Sequence, residues 1–127
     1  MRRERARPTD SELAILRVLW ERGPSTVRQV HDALAARATG YTTMLKLMQI
    51  MADKGLVTRD ESSRTHVYEA RFGRDETQRQ LVTDLVERAF GGSAAALVMQ
   101  ALNSHPATPE ELVEIEQLIQ DYREGNQ

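Results

Sequence analysis

The stretch from Tyr41 to Gly55 constrains this 127-residue chain most. Met44, Leu45, Leu47, Met48, Ile50 and Met51 make it a largely apolar helix, predicted from about Thr42 to Lys54 and stopped by Gly55. Its polar residues are not scattered. Thr42, Lys46, Gln49 and Asp53 stand at i, i+4, i+7 and i+11, one narrow stripe along the helix, with Thr43 at its edge. Such a helix is buried on most sides and offers a single polar ridge, so it must dock on other elements while presenting that ridge outward.

The preceding residues supply those elements. Thr9-Asp10-Ser11-Glu12 fits a capping box, and Leu13, Leu16 and Trp20 recur at the spacing of one buried helical face. Gly23-Pro24 ends this first helix. Ser25 or Thr26 caps a second, with Val27, Val30 and Leu34 on one stripe, predicted to run to about Arg37. After Gly55 the period changes. Residues 56–59 and 65–70 are β-prone and flank the turn-forming Asp60-Glu61-Ser62-Ser63-Arg64, which reads as a hairpin. Three helices followed by a hairpin is the order of a winged helix-turn-helix.

From Asp75 the chain returns to helix. Leu81, Leu85 and Phe90 belong to one apolar stripe, broken at Gly91-Gly92. Ser93 caps a helix through Leu102 that carries Leu97, and Thr108-Pro109-Glu110-Glu111 opens a last one with Leu112, Ile115, Ile119 and Tyr122 on one face. These helices are too few to enclose their own apolar faces, and a second copy of the chain is the simplest cover. The expected fold is mainly α with a small β-hairpin: a winged helix-turn-helix domain over 1–74 and a helical dimerisation domain over 75–127. The chain is expected to be ordered except at about 1–7 and 125–127.

The net charge of −2 conceals an asymmetry that suits this division. Residues 1–74 carry 14 Lys and Arg against 9 Asp and Glu, whereas residues 75–127 carry 3 against 10. The first domain is therefore net +5 and the second −7, so the basic half would meet a polyanion. The absence of cysteine excludes disulfides, thiolate metal sites and a cysteine redox switch. The N-terminus lacks the apolar stretch of a signal peptide, and no window reaches the length of a membrane span, so a cytoplasmic protein without membrane insertion is expected.

Double-stranded DNA is the expected partner. On the third helix, Lys46 and Gln49 have the chemistry to read base edges in a major groove, and a Thr methyl can meet a thymine methyl. Tyr41, Thr42 and Thr43 begin that helix, where free N–H groups and hydroxyls suit phosphate. Arg59, Ser63, Arg64 and His66 lie on or beside the hairpin, with Ser62, and suit a backbone or minor groove, although Asp60 and Glu61 weaken the field there. Arg28 is a candidate phosphate contact, and Arg2, Arg3, Arg5 and Arg7 a candidate basic arm.

With the elements assigned, Pro8 to Leu16, Leu19-Trp20, Tyr41-Thr42-Thr43, Lys54-Gly55-Leu56-Val57, His66-Val67-Tyr68 and Phe90-Gly91-Gly92-Ser93 together resemble the BlaI/MecI family of penicillinase repressors, over about Pro8 to Tyr122. The resemblance implies a homodimeric repressor on a palindromic operator, with the C-terminal helices as dimer interface. It also implies release by proteolysis under a membrane-bound sensor metalloprotease. By position, Tyr41, Thr42, Thr43 and Lys46 match the start of the recognition helix, and the Arg64 region matches the wing. Three departures are visible. Leu45 and Ile50 are apolar where many members are basic, which points to a different operator sequence. Gln100-Ala101 stands where staphylococcal-type repressors are cut between Asn and Phe. The cysteine-rich motif of the copper-responsive branch is missing.

Nothing points to catalysis or a cofactor. His31, His66 and His105 fall in separate elements, and there is neither a His-Glu-x-x-His run nor a phosphate loop after a strand. The rival reading is a winged-helix module that binds protein rather than DNA. Salt dependence separates the two, because phosphate contacts weaken steeply as salt rises.

Overall fold

A computed structural model describes residues 7–35 and 39–125. Among the described residues, six α-helices and three short strands follow the order α1 (Asp10–Arg22), β1 (Ser25–Thr26), α2 (Val27–Ala33), α3 (Tyr41–Lys54), β2 (Val57–Asp60), β3 (Val67–Ala70), α4 (Arg74–Ala89), α5 (Ala94–Ser104) and α6 (Pro109–Arg123). The winged helix-turn-helix expected from the sequence is therefore present, followed by helices. The contacts divide the chain into two compact units, one ending at Leu81 and the other starting at Val82, within α4.

Local chemistry explains most helix starts. Thr9 caps α1 in the expected capping box, accepting from the Glu12 N–H at 3.2 Å while the Glu12 carboxylate accepts from the Thr9 N–H at 2.9 Å. Thr26 with Gln29, and Thr108 with Glu111, repeat the device at α2 and α6, and Ser93 caps α5. Gly55 ends α3 in the left-handed conformation, φ 84°, which an L side chain adopts only with strain. At the end of α4 the Gly92 N–H donates to the Val86 carbonyl, with Gly92 at φ 86°.

Two expectations are corrected. Helix α2 ends at Ala33 rather than near Arg37, and Arg37 lies outside the described residues. Leu34 turns inward against the core, and its N–H is shared between the Val30 and His31 carbonyls, a tightened last turn. The hairpin strands start later than expected, at Val57 and Val67. Inside the turn, Asp60 Oδ1 accepts from the Ser62 N–H and Ser63 Oγ donates to the Thr65 carbonyl, so local bonds replace the ladder. The third strand, β1, was not expected from the sequence at all. It pairs antiparallel with β3 through Ser25↔Tyr68 and Thr26↔Val67, giving the sheet order β1-β3-β2.

The core of the winged unit joins Ile15, Leu16 and Leu19 of α1, Val27 and Val30 of α2, Met44, Met48 and Met51 of α3, and Val57 and Tyr68 of the sheet. Trp20 closes one side, its Nε1–H donating to the Phe72 carbonyl at 3.0 Å. One ion pair is sunk into this unit. Lys54 Nζ reaches both carboxylate oxygens of Glu12 at 2.8 and 2.9 Å, and the Glu12 side chain is only 3% exposed. The capping carboxylate of α1 is thereby tied to the end of α3. Removing the cation leaves a buried charge with only the Thr9 N–H. Lys54→Met is expected to cost about 2–3 kcal/mol, moderated because the Lys54 side chain is itself 31% exposed. Adding Glu12→Gln should recover part of that loss in urea unfolding. A double variant no more stable than Lys54→Met alone would mean that the stranded charge is not the cause.

Candidate nucleic-acid interface

Helix α3 turns Met44, Met48 and Met51 into the core, each no more than 2% exposed. Leu45 and Leu47 are half-buried at the flanks. Thr42, Thr43, Lys46, Gln49, Ile50 and Asp53 make up the exposed side. The polar ridge read from the sequence is therefore a surface feature, and Ile50 joins it at 41% exposure. Gly40 precedes α3 and supplies no side-chain cap, so the first-turn N–H groups of Tyr41, Thr42 and Thr43 have no hydroxyl partner of the kind seen at α1, α2, α5 and α6. Hydroxyls, free amide donors and one ammonium thus converge on the outward start of the helix. That is the donor set an anionic backbone and base edges accept.

A second cluster flanks the ridge. Arg28, Tyr41, Leu45, Arg64, Thr65 and His66 line a cleft of about 250 Å³ between the start of α3 and the hairpin, with Thr26, Val27 and Tyr68 behind them. The Arg28 guanidinium lies over the Tyr41 ring, 4.6 Å from its centroid. Tyr41 in turn meets His31 in a T-shaped contact, with ring centroids 6.0 Å apart and planes at 79°. His31 Nε2 lies 2.8 Å from the Thr39 carbonyl. A carbonyl only accepts, so that nitrogen carries the proton. The other ring nitrogen is buried and unpartnered among the described residues, and Asp32 Oδ1, at 3.8 Å, is too distant for a hydrogen bond.

Of the sequence candidates, Thr42, Thr43, Lys46 and Gln49 share the exposed face of α3, while Arg28, Tyr41, Arg64 and His66 share the cleft. Arg59 stands apart from both groups. Its Nε is 2.6 Å from Glu61 Oε2, and the Tyr68 side chain, followed by Glu61, raises its pKa, so this cation is already engaged within the wing. Ser63 is exposed in the turn, bonded to Thr65. The Ser62 N–H holds Asp60 below its usual pKa, so this turn bond contributes at neutral pH and is lost as pH falls through the depressed value. Of the suggested basic arm, Arg7 is exposed and Arg2, Arg3 and Arg5 lie outside the described residues. Sequence reasoning missed Thr65 and Leu45 as cleft residues. The cleft exists because Thr26 pairs with Val67, a two-residue pairing that no periodicity announces.

A helix-turn-helix with a wing, and with hydroxyls and an ammonium on the exposed face of its third helix, is the architecture of a winged-helix regulator of transcription. The comparisons with known proteins agree. The family model described as penicillinase repressor matches residues 8–121. "Transcriptional regulator BlaI" of Mycobacterium tuberculosis, from strains CDC 1551 / Oshkosh and ATCC 25618 / H37Rv alike, is 43% identical over 93 residues, covering 70% of this chain and 67% of that protein. The chain belongs to the penicillinase repressor family, and it is a transcriptional repressor rather than an enzyme. Among the described residues no helix is long and apolar enough to cross a membrane.

Proposed function

We propose that the protein represses transcription as a cytoplasmic homodimer on a palindromic operator, each copy laying α3 in a major groove and its wing beside the adjacent minor groove. One observation carries this reading: the face of α3 opposite its buried methionines is a ridge of Thr42, Thr43, Lys46 and Gln49. Lys46 and Gln49 read base edges there, and the hydroxyls and free amides of the first turn grip phosphate. Pairing is supported by the second unit, where α5 and α6 contain no buried residue. Leu85, Leu112, Ile119 and Tyr122 are each more than 40% exposed, and Leu81, Phe90, Leu97, Leu102 and Ile115 are half-buried. A two-fold pair of reading heads requires half-sites separated by about one helical turn of DNA or a multiple of it. Release by a signal-dependent protease, under a membrane-bound sensor, belongs to the same reading.

The test is footprinting on the DNA upstream of the protein's own gene, followed by titration of the protected duplex. A protected dyad and a steep loss of affinity with salt are expected. A single asymmetric footprint would overturn the palindromic part, and salt-independent association would favour a protein-binding module. On the same duplex, Lys46→Ala should weaken binding about 10- to 100-fold with the dimer intact. Unchanged affinity would remove Lys46 from the reading face.

A further inference from the structure

From the cleft geometry we infer that Tyr41 is a positioning residue for Arg28, and that this cation–π pair, lining one cleft with Arg64, seats the DNA phosphate that separates the two grooves. The inference rests on the DNA-binding reading above and assigns Tyr41 a role distinct from that of Thr42 and Thr43. If α3 occupies a major groove and the wing the neighbouring minor groove, one sugar-phosphate strand divides them. That strand must cross the gap between α3 and the wing. The gap is the cleft lined by Arg28, Tyr41, Arg64, Thr65 and His66. Its walls carry two guanidinium groups that, among the described residues, form no ion pair, unlike Arg59 with Glu61.

The cation–π contact determines how Arg28 is presented. A guanidinium held over an aromatic face, here 4.6 Å from the ring centroid, is restrained in position while its N–H groups directed away from the ring stay available to phosphate oxygens. Exposed arginines otherwise sample many rotamers, so holding the group in advance reduces the freedom lost on binding. Tyr41 is itself held. His31 meets its ring in the T-shaped contact, and His31 is fixed by its hydrogen bond to Thr39, just before α3. The ring face of Tyr41 is thus committed to Arg28. Its contribution to binding should run through that cation rather than through its hydroxyl.

Fluorescence anisotropy on the footprinted duplex across a salt series tests this with Arg28→Ala, Tyr41→Ala, Tyr41→Phe and the double alanine variant. Arg28→Ala should weaken binding about three- to tenfold and lower the salt slope by about one, the loss of one phosphate contact. Tyr41→Ala should reproduce most of both changes, Tyr41→Phe should behave as wild type, and the double variant should be no weaker than Arg28→Ala alone. Additive losses, a normal salt slope for Tyr41→Ala, or a defect in Tyr41→Phe equal to that of Tyr41→Ala would each overturn the positioning role. Wild-type binding with a steep slope that Arg28→Ala leaves untouched would overturn the phosphate seat while preserving the DNA-binding reading. Wild-type protein without salt-dependent binding would overturn that reading, and this inference with it.

Discussion

In the proposed homodimer, a glutamate at Leu85 or at Ile119 should yield monomers and lower operator affinity by about a hundredfold or more. Leu85 is 47% exposed in the isolated chain and Ile119 48%, and the helices around them have no buried core to shelter these side chains. In a two-fold interface each substitution enters twice, so two carboxylates must be desolvated without a partner. The surroundings offer little relief, because residues 75–127 are net −7. DNA binding suffers indirectly. A paired reading head meets its second half-site at a high effective concentration, and a monomer forfeits that gain although its α3 surface is unaltered. Sedimentation velocity gives the state of association and anisotropy the affinity. If both variants sediment as intact dimers, the interface lies elsewhere. Dissociation with undiminished operator affinity would instead separate dimerisation from DNA binding.

Met48→Ala should destabilise the winged unit by about 2–4 kcal/mol, whereas Gln49→Ala, one residue along, should stay within about 0.5 kcal/mol. Met48 is fully buried in the core that joins α1, α2, α3 and the sheet. Truncation removes its dispersion contacts and leaves a cavity that the packed neighbours fill only in part. Gln49 is exposed, so its loss should register in operator binding and not in unfolding. Trp20 is the single tryptophan and is hydrogen-bonded within this unit, which makes its fluorescence a reporter for urea titration. Equal stabilities for the two variants would mean that α3 is rotated from the orientation described, which would remove the reading face as well.

Much of this architecture was legible in the sequence, and the successes have a common physical basis. Thr9, Ser93 and Thr108 were readable as caps, and Thr26 as one of two candidates, because a cap is completed within three residues of chain. The inward methionines and outward Lys46 and Gln49 of α3 follow from helical period alone, as does the stop at Gly55. The failures also share a cause. Leu34 ends α2 by packing against residues distant in the chain. Arg59 looked like a free cation beside a turn, and the hairpin folds Glu61 onto it. Glu12 looked like a cap alone, yet Lys54, 42 residues later, shares its carboxylate.

The helix that begins at Tyr41 shows where the two levels part. The sequence by itself determined that this segment is a helix, which face is apolar, and that its polar ridge is Thr42, Lys46 and Gln49. Those properties depend on residue type and a 3.6-residue period. Only the tertiary structure decided that Tyr41 lies beneath Arg28, that Ile50 joins the exposed side, and that Arg28 and Arg64 line one cleft. That cleft depends on Thr26 pairing with Val67, a contact across 41 positions held by backbone hydrogen bonds available to almost any residue. Backbone pairing leaves little trace in side-chain pattern, so it emerges only when the core brings the strands together.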